Sequence, residues 1–229
     1  SGGRIIEADV VVGGADYHHL EQKVLDKPFR QYDEAYWSSR VMAPSSLVFY
    51  LGIKGRMKDV LHHNLFFDAD FKIHSEEIYT SKKWPTDPLF YMSAPSVTDD
   101  TIAPDGHENL FILIPIAPDL EDTEAIREHY FSRVLERIKM ITGEDLQDRI
   151  VYKRSYCVKD FKADYHSFQG NAYGLANTLR QTAFMKPKMK SRKLDNLYFT
   201  GQLTVPGPGI PPALISGQIV AREVMKNYA

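Results

Sequence analysis

Residues 201–212 read GQLTVPGPGIPP, four prolines and three glycines in twelve positions. They lie between an apolar run, Leu197 to Thr200, and a final segment of helical pattern expected from about Ala213 to Lys226. Glycines let a main chain approach a ligand closely, and prolines stiffen a loop and suit a first helical turn. A helix N-terminus adds free N–H groups and partial positive charge. The combination suits a phosphate or the electron-rich pyrimidine edge of a flavin. An ordinary strand-to-helix connection is the other use of such a loop.

Other reactive residue types fall into less productive patterns. His18-His19 and His62-His63 are adjacent pairs, which cannot both face one metal from a helix or strand, so no metal site is expected. Asp68, Asp70, Asp99 and Asp100 sit in polar turns, where turn chemistry explains them better than acid–base pairing. Cys157 lies in an apolar run and reads as packing; as the single cysteine it forms no internal disulfide and fits a reducing compartment. No Ser-His-Asp arrangement has usable spacing, and no catalytic side chain is assigned. Lys186, Lys188, Lys190, Arg192 and Lys193 crowd into eight positions. Such a run suits either an anionic lipid surface, at roughly 1 kcal/mol per residue, or a solvated loop.

The chain has 229 residues, enough for one large domain or two small ones. Apolar residues make up 43% and charged residues 25%, which excludes a disordered, collagen-like or coiled-coil chain. Lys and Arg number 28 against 30 Asp and Glu, a net charge of −2 that argues against a basic nucleic-acid binder. The most apolar stretch, Leu110 to Ala117, is far short of the roughly 18 residues of a membrane span. Thirteen Tyr and 12 Phe suit a large core or an apolar cavity.

The elements that must position the loop follow from periodicity. Ala8 to Val12 reads as a buried strand, followed by a glycine turn, an N-cap at Asp16 and a helix over Tyr17 to Leu25 that Pro28 ends. Ser45 to Ile53, His63 to Phe67, Leu89 to Ser93 and Asn109 to Ile116 read as strands, the last apolar enough for burial on both faces. Asp119 to Thr142 is a helix, with Ile126, Tyr130, Val134 and Ile138 every four residues and Phe131, Leu135 and Ile141 beside them. Thr123 would cap it and Gly143 would end it. That stripe suits packing on a sheet, or a helix lying on a membrane. Ile150 to Val158 reads as another strand, and Lys159 to Gly174 as a polar, glycine-containing stretch.

Residues 170–217 resemble the C-terminal signature of bacterial-type phytoene desaturases and related carotenoid desaturases and isomerases. The resemblance rests on Gly170-Asn171-Ala172-Tyr173-Gly174, Gln181, Lys186-Pro187, Asn196-Leu197-Tyr198 and Pro206-Gly207-Pro208-Gly209-Ile210-Pro211 in that order. Residues 8–16, with Gly14 standing where Asn is usual, Tyr50-Leu51-Gly52, His62-His63, Ala94-Pro95-Ser96-Val97-Thr98-Asp99 and Ala103-Pro104-Asp105-Gly106-His107-Glu108 extend it upstream, so that it covers Ala8 to Met225.

The resemblance implies an α/β fold: C-terminal pieces of a Rossmann-like FAD-binding domain, at 1–27 and 159–229, around a substrate domain at 28–158 with a mixed or antiparallel sheet and flanking helices. It implies an FAD-dependent oxidoreductase that introduces double bonds into a carotenoid precursor such as phytoene. A carotenoid isomerase using FAD without net oxidation, or an isolated substrate- or partner-binding module, are the alternatives. The FAD-binding set carried over is Gly201, Gln202, Gly207, Gly209, Ile210 and Pro211. Gln202 stands where many related flavoproteins place an acidic residue toward a ribityl hydroxyl, and a glutamine keeps that hydrogen-bonding capacity. The sequence contains no GxGxxG motif, so it is expected to be a C-terminal portion, inactive alone. A lipid-soluble polyene substrate implies a cytoplasmic protein peripheral to the inner face of the membrane, with Lys186, Lys188, Lys190, Arg192 and Lys193 as the contact and with room for an oligomer.

Overall fold

A computed structural model describes residues 3–228, and the chain divides into two compact units. One joins residues 1–43 to 162–229, and the other comprises 44–161. The first crossover therefore falls at 43/44, not at 27/28. Residues 28–43 fold with the first unit because Trp37 and Met42 are buried in one cluster with Tyr17, Leu175, Leu197, Phe199 and Leu203.

The first unit is built on strand β1 (Val11–Gly13), which pairs in parallel with β7 (Leu197–Phe199) from the far end of the chain. β1 is not the buried strand its composition suggests, since Val11 and Val12 are each 49% exposed. Helix α1 (Tyr17–His19) follows and continues as a π-helical turn, Leu20–Val24. Asp16 caps it, accepting the His19 N–H at 3.0 Å. The helix ends before Pro28, which sits in a separate 3₁₀ turn. Helix α2 (Glu34–Ser38) is capped by Asp33. Tyr17 stacks on Phe199 with ring centroids 4.0 Å apart, which fastens α1 to β7.

The second unit is a five-stranded antiparallel sheet in the order β3-β4-β5-β2-β6. Its strands are β2 (Ser45–Lys54), β3 (His63–Phe66), β4 (Phe90–Ser93), β5 (His107–Ile116) and β6 (Ile150–Tyr156). Helix α3 (Phe71–Glu76) grows from the Asp68 to Asp70 turn because Asp70 caps it. Helix α5 (Val158–Tyr165) occupies part of the stretch expected to be irregular. Helix α4 (Glu124–Thr142) has its N-cap at Thr123 and a left-handed Gly143 at its end.

Leu47, Phe49, Leu51 and Ile53 of β2 register against Ile114, Ile112, Leu110 and Glu108 of β5. Their apolar side chains are fully buried with Tyr130, Phe131, Val134 and Ile138 of α4. The α4 stripe therefore packs on the sheet, and Ile141 lies outside it, exposed. β5 is not buried on both faces. Alternate residues are buried under α4, while Phe111 and Leu113 on the other face are only half covered.

Candidate flavin loop and polyene face

The loop from Gly201 is set by its glycines and by one serine. Helix α6 spans Ile210–Tyr228, beginning three residues earlier than its apolar pattern indicates. Gly209 is the last residue before it, with φ +107, and the Ala213 N–H donates to its carbonyl at 2.9 Å. The helix thus opens Ile210-Pro211-Pro212. Two of its first-turn positions carry no N–H, so Ile210 is the sole donor among them. The end of α6 is a narrow feature: one exposed N–H, aligned peptide dipoles behind it and a glycine before it.

Ser216, nearly two turns into α6, is fully buried. Its Oγ accepts the Gly201 N–H at 2.9 Å, lies 2.5 Å from the Thr200 hydroxyl and donates to the Ala213 carbonyl at 2.6 Å. Thr204 folds the start of the loop back, its N–H and hydroxyl both donating to the Gly201 carbonyl. Gln202 lies over the Gly170-to-Gly174 turn. A Cβ at Gly174, which has φ +73, would sit 2.9 Å from the Gln202 carbonyl, so only glycine fits there. Asn171 holds that turn, accepting the Gly174 N–H at 2.6 Å. Gln181 mimics a backbone strand toward Val41, accepting its N–H and donating to its carbonyl, each at 2.8 Å. These signature residues are fasteners of the loop's foundation.

Gly201, Gln202, Gly207, Gly209, Ile210 and Pro211 thus lie on one continuous loop and helix end. The basic run does not act as a unit. Lys188, Arg192 and Lys193 are exposed and Lys190 is half-buried, but Lys186 is only 2% exposed, which removes it from any surface contact. Its Nζ is buried and has no hydrogen-bond partner, and burial draws its pKa below the ordinary lysine range. A Cβ at Gly207 would meet Lys186 Cε and Nζ at 3.5 Å each. A helix end with one exposed donor, and a buried ammonium beside a glycine of the same loop, fit a flat, electron-rich ring such as flavin. Sequence reading missed Ser216 and the burial of Lys186. The available signals were a serine in mid-helix, able to back-bond, and the Lys186-Pro187 pair inside the signature.

In the second unit, the sheet face away from α4 carries Tyr50, Leu65, Tyr91, Phe111 and Leu113, all half-buried or exposed. Phe111 packs edge-on against Tyr50 and Tyr91, with centroids 5.5 and 6.2 Å away. Beside it, an apolar groove of about 280 Å³ runs between this face and α3, lined by Leu65, Phe67, Phe71, Tyr79, Phe90 and Tyr91 among others.

The remaining candidates are structural. His18 bonds Glu34 at 3.2 Å, His19 stacks on His166, and His62 and His63 bond Thr98 and Tyr91. Among the described residues, no group of three or more His, Cys, Asp or Glu could hold a metal ion. Cys157 is fully buried, and desolvation pushes its thiol pKa up to about 12, which makes it unreactive.

A parallel β1–β7 pair thus feeds a glycine-rich loop and a helix in the first unit, and the second unit is built on an antiparallel sheet. The chain belongs to the flavin containing amine oxidoreductase family, whose profile matches residues 1–225. It is 46% identical over 221 residues to a carotenoid 3,4-desaturase of Haloarcula japonica, covering 96% of this chain and 45% of that protein. Over 233 residues it is 31% identical to a zeta-carotene-forming phytoene desaturase of Myxococcus xanthus, covering 98% and 43%. It is 29% identical over 238 residues to a 4,4'-diaponeurosporene oxygenase of Staphylococcus aureus, covering 99% and 46%. The chain therefore spans slightly less than half the length of these curated relatives. Its fold is similar to that of an oxidoreductase from Methanosarcina mazei, with a TM-score of 0.55 at 14% identity over 96% of this chain and 44% of that one.

Proposed function

We propose that the chain is the C-terminal portion of an FAD-dependent carotenoid desaturase, acting on a precursor such as phytoene. The observation that carries this is the second unit's sheet, whose outer face carries Tyr50, Tyr91, Phe111 and Leu113 and adjoins, at Leu65 and Tyr91, an apolar groove of the kind a long polyene requires. Membership of the flavin family and the names of the relatives support it. FAD, when bound, supplies the two-electron acceptor for desaturation. This chain's residues hold and orient. Gly201, Gln202, Gly207, Gly209, Ile210 and Pro211 would hold the flavin, with the Ile210 N–H as the free donor toward its electron-rich edge, and the aromatic face would shield the polyene from water.

We further propose that the whole protein works at the inner face of a membrane, where a polyene dissolves. Exposed Lys188, Arg192 and Lys193, with half-buried Lys190, support an anionic contact, and exposed Phe67 and Phe71 support an apolar one. No helix among the described residues is long and apolar enough to cross a membrane.

The test is product analysis of the whole protein, loaded with FAD and given phytoene in phosphatidylglycerol vesicles. Products with added conjugated double bonds are expected. Changed geometry without added double bonds would mean an isomerase, and no conversion of phytoene or of a partly desaturated carotenoid would end the reading.

A further inference from the structure

The Lys186 amine is, with Trp37 Nε1 and Glu21 Oε2, one of the buried side-chain groups of the first unit without a hydrogen-bond partner, and the one that carries a positive charge when protonated. It is buried beside Gly207 in a position where an ordinary surface lysine would reach water, and no acceptor meets its Nζ. A buried ammonium without a partner is costly, and a partner supplied from outside the fold would remove that cost. The loop it adjoins ends at the N-terminus of α6, a 19-residue helix whose dipole adds positive potential at Gly209 and Ile210. Two positive features thus converge on one loop, and Gly207 provides no side chain to separate them.

We propose that the Lys186 ammonium is a flavin-binding group: a fixed positive charge that receives the electron-rich edge of the ring and the negative charge the ring gains on reduction. This rests on the proposed FAD function and names a residue that composition places on the surface. Reduction adds two electrons and one proton to the neutral ring and leaves one net negative charge there. The electrons come from the substrate C–H bond in turnover, and from dithionite in a titration. The orphaned ammonium is then paired in the bound, reduced protein and unpaired in its absence.

That arrangement sets stability against binding. Removing an unpaired buried charge relieves the empty protein, while removing a ligand contact weakens the loaded one. The experiment compares the whole protein with its Lys186→Met variant. Without FAD, the variant is expected to melt several degrees higher than the parent. With FAD, it is expected to bind the cofactor about tenfold more weakly. Its midpoint potential in a dithionite titration is expected to be lower by about 30 mV, the equivalent of tenfold for a two-electron couple. Lys186→Arg, which keeps the charge, should retain most of the parent potential. A Lys186→Met protein that fails to fold, or melts lower without FAD, overturns the proposal, because the amine would then be part of the fold. Unchanged FAD affinity and potential overturn it as well. A parent protein that takes up no FAD at all is a different result: it refutes the flavin function itself.

Discussion

Ser216 holds Gly201: the buried hydroxyl on α6 accepts the Gly201 N–H at 2.9 Å and donates to the Ala213 carbonyl one turn earlier. One side chain thereby fixes the start of the loop relative to the helix that ends it. Ser216→Ala leaves the Gly201 N–H and the Thr200 hydroxyl without this partner, at a cost of about 1–3 kcal/mol. The expected outcome is a lower urea midpoint and, in the whole protein, weaker FAD binding. An FAD affinity equal to the parent's would show that the loop's start is fixed by other contacts.

Gly209 tests the loop's other end. Its φ of +107 strains any side chain, and a β-branched one most. Gly209→Val is expected to cost on the order of 1–3 kcal/mol of backbone strain. It is also expected to reduce product yield on the order of 100-fold, the effect of displacing a reacting group by about 1 Å. Gly143→Ala is the control: φ is +75 there and a Cβ would meet nothing within 4 Å. That variant should lose about 1 kcal/mol of stability and leave the flavin absorbance spectrum unchanged. Equal yields from both variants would make the loop a mere connector.

Glu21 gives a pH signature. It is fully buried, its Oε1 accepts the Gln31 N–H at 3.0 Å, and its Oε2 has no partner. Desolvation pushes its pKa from 4.5 up to about 7. Between those values the native state keeps a proton that the unfolded chain has released. Its contribution to stability is therefore fully present below pH 4.5 and falls as pH rises, by at most about 3 kcal/mol at pH 7. Glu21→Gln should flatten that slope in chemical denaturation at pH 5, 6 and 7.5. An unaltered slope would place the titration elsewhere.

Arg127 anchors the second unit. Its guanidinium bonds buried Asp122 twice at 2.7 Å and meets Asp160 at 2.7 Å. Asp122 in turn accepts the Lys159 N–H, which ties α4 to the start of α5. Arg127→Met removes one partner and leaves a buried carboxylate, so a loss of about 3–5 kcal/mol is expected in the unit's unfolding. A loss under about 1 kcal/mol would mean that water enters and solvates Asp122.

Phe67 and Phe71 line the groove but are 61% and 68% exposed. Replacing both with serine should leave the melting temperature within a few degrees of the parent. The whole protein is expected to sediment less with phosphatidylglycerol vesicles and to convert less phytoene. Unchanged sedimentation together with unchanged conversion would remove the groove from substrate capture.

Much of the architecture was legible locally. The β-branched and aromatic residues of Ser45 to Ile53 mark a strand, and period-four spacing in Ile126 to Ile138 records which face of α4 is buried, because side-chain direction follows from backbone geometry. Thr123 and Gly143 mark the ends of α4 for the same reason, each matching a backbone need within one turn. The glycines at 201, 207 and 209 likewise all have positive φ.

What the sequence left open was set by groups distant along the chain. Val11 and Val12 look like core residues, yet β1 has one strand neighbour, β7, and both are half exposed. The five basic residues from Lys186 to Lys193 form one pattern in sequence, and they separate in space. Lys186 is buried beside Gly207, twenty-one positions on, while Lys188, Arg192 and Lys193 stay in water. Secondary structure and capping depend on neighbours within a few residues, and the chain therefore specifies them directly. Burial and charge environment depend on which distant segments pack together, and only the tertiary structure decides those.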